Sequence, residues 1–189
     1  MVQLRIGTLV LLATLSVLTG VADAHPPATG WDLEKDVDVP SYAVAEPANA
    51  DVDIDTIVLT CEQGQRRPGL QLRLYPIGGG PLASRAAGDL KDPTLEFAVD
   101  GVRYAVQLLF ADRFIVVADS ADGAVPLLSE ALLDVIQAGR RMELRFSFAG
   151  SIAAIVDLQA GRGGAAVAAV RRCAGKSDRR LAETGAGRS

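Results

Sequence analysis

The chain has 189 residues, of which 49% are hydrophobic and 5% aromatic, and its formal net charge is −4 at pH 7. The high hydrophobic content excludes an intrinsically disordered protein. The mild negative charge, with no cluster of Lys and Arg, argues against nucleic acid as a partner.

The first 24 residues have the layout of a secretory signal peptide. Arg5 precedes an apolar stretch from about Ile6 to Leu18, and the segment ends in Ala22-Asp23-Ala24, an A-x-A cleavage site. The apolar run is shorter than the roughly 20 residues that span a bilayer. We therefore expect cleavage after Ala24 rather than a retained anchor, no stable membrane insertion afterwards, and a periplasmic or secreted protein.

Cleavage would make His25, the only histidine of the chain, the first mature residue. Its free amine and imidazole could chelate copper together, as the N-terminal histidine does in histidine-brace proteins. Such a brace normally needs a second histidine, and Pro26 has no amide hydrogen to lose to a square-planar site. The alternative to a copper site at His25 is a solvated N-terminus.

Residues 25–50 are rich in Pro, Asp and Ala without apolar periodicity. This composition predicts an extended segment that leads into the domain, anchored by Trp31 and Tyr42.

Further along, apolar and polar residues alternate with a period of two, which is typical of half-buried strands. The predicted strands are Ile57–Cys61, Leu70–Leu74, Leu95–Val99, Val102–Phe110, Phe114–Ala118, Met142–Phe148 and Ser151–Leu158. Asp100-Gly101 is a strong hairpin signal, because a type I′ turn needs positive φ at both central residues.

Two segments have helical periodicity. The first begins after Pro126, a favoured first helical residue, and runs to about Ala138, where Gly139 ends it. Its predicted apolar stripe is Leu128, Ala131, Leu132, Val135 and Ile136. The second runs from about Gly164 to Ala174 and directs Cys173 to its apolar side.

Cys61 and Cys173 both lie in the mature part of the chain. In an oxidising compartment an even pair is expected to form a disulfide, worth about 4 to 5 kcal/mol on the chain-entropy model for so long a loop. The alternatives are two separate buried thiols or a reactive thiol. Neither cysteine lies in a C-x-x-C pair, so a redox role has little support.

Successive strands joined by short turns, with two helices to cover one face, predict a single α+β domain over residues 51–175. We expect an antiparallel sheet of about six to eight strands, with the last helix disulfide-linked to the first strand, Ile57–Cys61. Residues 176–189 are polar and predict a flexible tail.

No complete catalytic set is visible in the sequence. Residues 161–166 match a dinucleotide-binding glycine pattern, but one helix follows without the second strand of a βαβ unit, so we interpret them as a turn. A serine triad would need His25 as its base at the N-terminus. A carboxylate pair stays open, because the sequence does not give the distances between acidic residues.

The stretch from Leu127 to Cys173 contains an apolar helix, then Ala138-Gly139-Arg140-Arg141-Met142, then two strands ending in Val156-Asp157-Leu158, and a helix rich in Ala and Val. It resembles the C-terminal half of small secreted alphaproteobacterial envelope proteins of the invasion-associated locus B type. The resemblance covers about a quarter of the chain and implies a periplasmic, non-catalytic envelope factor.

The sequence as a whole favours a periplasmic, non-catalytic binding or accessory protein of the bacterial cell envelope, without a cofactor. Its expected partner is an envelope protein or a small ligand. Two alternatives stay open: a carboxylate-dependent hydrolase of envelope polymers, and a copper-binding protein that uses His25.

Overall fold

The computed structural model describes residues 30–48, 54–78, 95–146 and 154–172. Their strands are β1 (Asp32–Leu33), β2 (Tyr42–Ala45), β3 (Ile54–Gln63), β4 (Pro68–Pro76), β5 (Leu95–Val99), β6 (Val102–Tyr104), β7 (Gln107–Phe110), β8 (Ile115–Ala118), β9 (Ser120–Asp122), β10 (Val125–Leu127), β11 (Arg141–Phe146) and β12 (Ala154–Asp157). Their helices are α1 (Glu130–Ala138) and α2, residues 164–172. The predicted signal peptide, His25, Cys173 and the predicted tail lie outside the described residues.

A six-stranded antiparallel sheet has the order β1-β2-β3-β4-β8-β7. The long β3–β4 hairpin forms its centre. Side chains alternate along these strands, so Leu59 of β3 and Leu72 of β4 are cross-strand partners with no exposed surface, whereas Thr60 and Arg73 face outward. The period-two pattern therefore reflects a sheet with one face packed on the core and the other directed toward solvent.

A four-stranded antiparallel sheet has the order β12-β11-β5-β6. Its β5–β6 hairpin turns at Asp100 and Gly101, which have φ values of 50° and 80°, as the type I′ prediction requires. The Asp100 carboxylate accepts the backbone N–H groups of Arg140 (3.0 Å) and Arg141 (2.9 Å). The turn is thereby tied to the beginning of β11.

The α+β class with mostly antiparallel strands and two helices is confirmed, but the prediction of a single sheet is wrong. The described strands form six-, four- and two-stranded sheets. The predicted strand Val102–Phe110 is divided, because β6 pairs with β5 in one sheet and β7 pairs with β8 in another. Cys61 lies in β3 rather than in the first strand, since residues 32–33 and 42–45 also form strands.

Helix α1 begins later than its Pro126 signal predicts. Pro126 lies in β10, which pairs with β9 in the small two-stranded sheet. The N-cap is Ser129, whose hydroxyl accepts the Leu132 N–H (3.2 Å), while Asp119 accepts the Ser129 N–H (2.6 Å). Proline is favoured both at a helix start and in an edge strand, so its presence alone does not separate the two.

Both helices and both large sheets bury side chains in one hydrophobic core. In α1 the fully buried residues are Leu132, Leu133 and Ile136, whereas the predicted stripe residue Ala131 is exposed. Helix α1 ends at Gly139 as predicted. A Cβ at Gly139 would lie 2.4 Å from Val99 Cγ1, so close packing rather than a positive φ requires glycine there.

Candidate functional site

The candidate site is a cleft of about 580 Å³ between the β1–β2 loop and helix α2, which we call the loop–helix cleft. One wall, called the loop wall, is formed by β1 and the loop after it, and the other, the helix wall, by α2 with the turn before it. The lining residues are Asp32, Leu33, Glu34, Lys35, Asp36, Val37, Asp38 and Pro40 on the loop wall, and Arg162, Ala165, Ala169 and Arg172 on the helix wall.

The two walls differ in charge. Three of the four carboxylates on the loop wall, those of Asp32, Asp36 and Asp38, belong to exposed residues. The charged residues of the helix wall are arginines, Arg162 and Arg172, both exposed. Lys35 lies on the loop wall and pairs with Asp32 at 3.9 Å. Because both side chains are exposed, this ion pair adds little stability. The cleft therefore has a mainly acidic and a basic side.

The loop wall is held in shape by Glu34. Its carboxylate accepts both the backbone N–H (2.8 Å) and the hydroxyl (2.7 Å) of Ser41, across the base of the loop. These two hydrogen bonds lower the pKa of Glu34 below its ordinary value. Within the loop, Asp36 adopts a φ of 60°, a left-handed conformation that Asp tolerates better than most residues. Glu34 is thus a structural carboxylate that stays ionised.

The turn before the helix wall is fixed to Trp31, the residue that precedes β1. Trp31 is 1% exposed and forms a bridge to Gly161, and its carbonyl accepts the Arg162 N–H (3.3 Å). A Cβ at Gly30 would lie 1.8 Å from the Ala160 oxygen, so the backbones touch at this point. Trp31 is therefore the anchor that the sequence predicts, whereas Tyr42 is 38% exposed.

Arg171 of α2 binds three side chains of α1. Its guanidinium pairs with Glu130 and with Asp134 (2.7 Å), and donates to Gln137 (2.9 Å). Burial disfavours the charged guanidinium, but the hydrogen bonds to both carboxylates outweigh it, and the pKa of Arg171 is raised. This three-partner contact orients the helix whose other face lines the cleft.

A second cavity, of about 270 Å³, lies beside the β3–β4 turn. Asp122 accepts the backbone N–H groups of Arg66 (2.6 Å) and Arg67 (3.0 Å) across 55 residues or more of sequence. These bonds lower the pKa of the Asp122 carboxyl group. Asp122 therefore holds the turn in place and is unsuited to donating a proton near neutral pH.

The outer face of the six-stranded sheet presents a compact cluster around one arginine, Arg73. The Arg73 guanidinium lies 4.5 Å from the centre of the Phe114 ring, pairs with Glu62 and donates to Gln71 (2.7 Å). The Tyr75 ring lies 5.6 Å from that of Phe114. Since the charge of Arg73 is compensated by Glu62, this face offers less to a charged ligand than the cleft does.

The residues that the sequence singled out are only partly placed. His25 and Cys173 lie outside the described residues, while Cys61 is half-buried in β3 and its N–H donates to the Ser41 oxygen (2.8 Å). Within the described ranges, no group of three or more His, Cys, Asp or Glu is arranged to hold a metal ion. The cleft was not among the predicted sites, although the charged run of residues 32–38 could have indicated its acidic wall.

Among the described helices, none has the length and apolar character needed to cross a membrane. Comparisons with protein families, with curated proteins and with solved structures found no match to this chain.

Proposed function

We propose that this chain is a periplasmic or secreted, non-catalytic binding protein of the cell envelope. Its ligand is a short peptide that carries both amino and carboxylate groups, bound in the loop–helix cleft. The observation that carries the proposal is the opposite charge of the two cleft walls.

The charge pattern favours a ligand of mixed charge over one of a single sign. An amino group has carboxylates to approach at Asp36 and Asp38, and a carboxylate has guanidinium groups at Arg162 and Arg172. A purely anionic ligand would meet like charge on the loop wall, and a purely cationic one would meet it on the helix wall. Ala165 and Ala169 give the helix wall small side chains between its two arginines.

The Glu34 carboxylate supports binding rather than acid catalysis in the cleft. A general acid needs a pKa raised toward the working pH, whereas the pKa of Glu34 is lowered by its bonds to Ser41. Since its carboxylate is occupied by these bonds, Glu34 serves to keep the loop wall rigid. A rigid wall lowers the entropic cost of binding a flexible peptide.

A disulfide between Cys61 and Cys173 is part of the same proposal. Arg172, which directly precedes Cys173, lines the cleft together with Pro40. Next to Pro40, Ser41 accepts the backbone N–H of Cys61. Arg172 and Pro40 thus line the same cavity, and Pro40 is adjacent to the residue that is hydrogen-bonded to Cys61. A disulfide at this position would fix the helix wall to β3. The predicted signal peptide would direct the chain to an oxidising compartment, in which such a bond can form.

Isothermal titration of the purified mature protein with the tripeptide Ala-Glu-Lys tests the binding proposal. We expect a saturable heat signal and recovery of the intact peptide. Arg172→Glu should weaken binding about tenfold or more, because it converts an attraction into a repulsion. The matched control is Arg113→Glu, an equally large charge change at an exposed residue that does not line the cleft. Equal affinity of the two variants, or hydrolysis of the peptide, would overturn the proposal.

A further inference from the structure

The edges of the two large sheets are not protected equally. Edge strand β12 is covered by Ala48, which exchanges two backbone hydrogen bonds with Ile155 (2.8 and 3.1 Å). Edge strand β1 has two residues and follows Trp31, which is bridged to Gly161. Short edges and covered edges are the usual ways of preventing a sheet from pairing with another chain.

The other edge strands are β6 in the four-stranded sheet and β7 in the six-stranded sheet, and β7 is called the open edge. Within the described part of the chain, β6 pairs only with β5 and β7 only with β8. Val102 in β6 is 56% exposed and Leu109 in β7 is 40% exposed. Strand β7, with the sequence QLLF, contains no charge and no proline that would block pairing. Among the described residues, β7 therefore has no covering segment, no charge and no proline.

The register of β7 directs the backbone groups of two of its residues away from β8, where no described segment pairs with them. The Ala111 N–H donates to the Phe114 oxygen (2.9 Å), and β7 continues from there in register with β8. Because hydrogen-bonded and non-hydrogen-bonded pairs alternate in an antiparallel ladder, Leu109 and Gln107 direct their N–H and C=O groups toward β8. Leu108 and Phe110 therefore direct theirs outward.

We propose that the open edge pairs with the same edge of a second copy of this chain. Antiparallel pairing of β7 with β7 about a two-fold axis at Leu109 would place the two Leu109 residues opposite each other. Leu108 of each copy would then exchange both hydrogen bonds with Phe110 of the other. The six-stranded sheet would continue into that of the second copy.

The chemistry of β7 favours a second copy as its occupant. Like charges directly opposite each other destabilise a strand pair, but β7 is uncharged, so two copies of it can pair about a two-fold axis without such repulsion. The exposed Leu109 side chains would be covered by each other on the outer face of the joined sheet. This pairing does not involve the loop–helix cleft, so it stands independently of the proposed peptide binding.

Sedimentation velocity of the mature protein over a wide concentration range tests this proposal. We expect a monomer–dimer equilibrium whose dissociation constant rises about tenfold or more in Leu109→Lys, because two lysines would face each other at the axis. Ile77→Lys is the matched control, since Ile77 is 39% exposed and lies outside the open edge. A monomer at every concentration, or equal weakening by both variants, would overturn the proposal.

Amide hydrogen exchange of the unmodified protein gives a second test that needs no variant. Raising the protein concentration should slow exchange at Leu108 and Phe110, whose outward N–H groups become bonded in the dimer. A dimer in which these two amides exchange as fast as in the monomer would show that another surface is used, and would equally refute the pairing.

Discussion

Replacement of Gly101 by Ala tests the Asp100-Gly101 turn that joins β5 to β6. Gly101 has a φ of 80°, and a Cβ added there would meet no atom within 4 Å. The substitution therefore adds no clash, and its cost is the conformational strain of a left-handed residue, about 1–2 kcal/mol. The same change also stabilises by reducing the entropy of the unfolded chain, by about 0.4–1 kcal/mol.

Gly78→Ala provides the matched control for this strain. A Cβ at Gly78 also meets no atom within 4 Å, and its φ lies outside the left-handed region. The entropy gain is common to both variants, so the difference between them isolates the strain. We expect Gly101→Ala to be less stable than Gly78→Ala by about 1–2 kcal/mol, a difference in Tm of about 2–8 °C for a chain of this size. Equal melting temperatures by calorimetry would refute the strained-turn interpretation.

Three further outcomes are expected. Hydrogen bonds from the Arg66 and Arg67 N–H groups lower the pKa of Asp122 below its ordinary value, so its contribution to stability is lost as pH falls through the lowered pKa. The urea midpoint should decline over this acid range, and less steeply in Asp122→Asn. Cys61→Ser and Cys173→Ser should each lower the free energy of unfolding in urea by about 4–5 kcal/mol, and the double variant should lose no more than either single one. Additive losses in the double variant would argue against a disulfide. N-terminal sequencing of the exported protein should begin at His25, and retention of Met1 would contradict cleavage.

The sequence predicted best those features that depend on neighbouring residues. Asp100-Gly101 specifies its own turn, because few residue pairs other than those with Asn, Asp or Gly tolerate two successive positive φ values. Alternation likewise located β4 and β11, since each buries one face. In both cases a short segment contains all the information that its structure requires.

The sequence predicted less well those features that depend on contacts between residues distant in the chain. Alternation continues through residues 102–110 without a break, so it could not show that β6 and β7 join different sheets. Pro126 matched a helix start, but its pairing with Ala121 makes it part of a strand. The loop–helix cleft depends on α2 lying beside residues 32–38, more than a hundred positions earlier in the chain. No local pattern reports such a contact.

The proposed binding of mixed-charge peptides in the loop–helix cleft is tested most directly by the amide spectrum of the isotopically labelled mature protein during titration with Ala-Glu-Lys. We predict saturable shifts in residues 32–40 and 162–172, on the two walls of the cleft, with residues 107–118 unchanged. Shifts confined to other parts of the chain, or an unchanged spectrum at high peptide concentration, would contradict the claim.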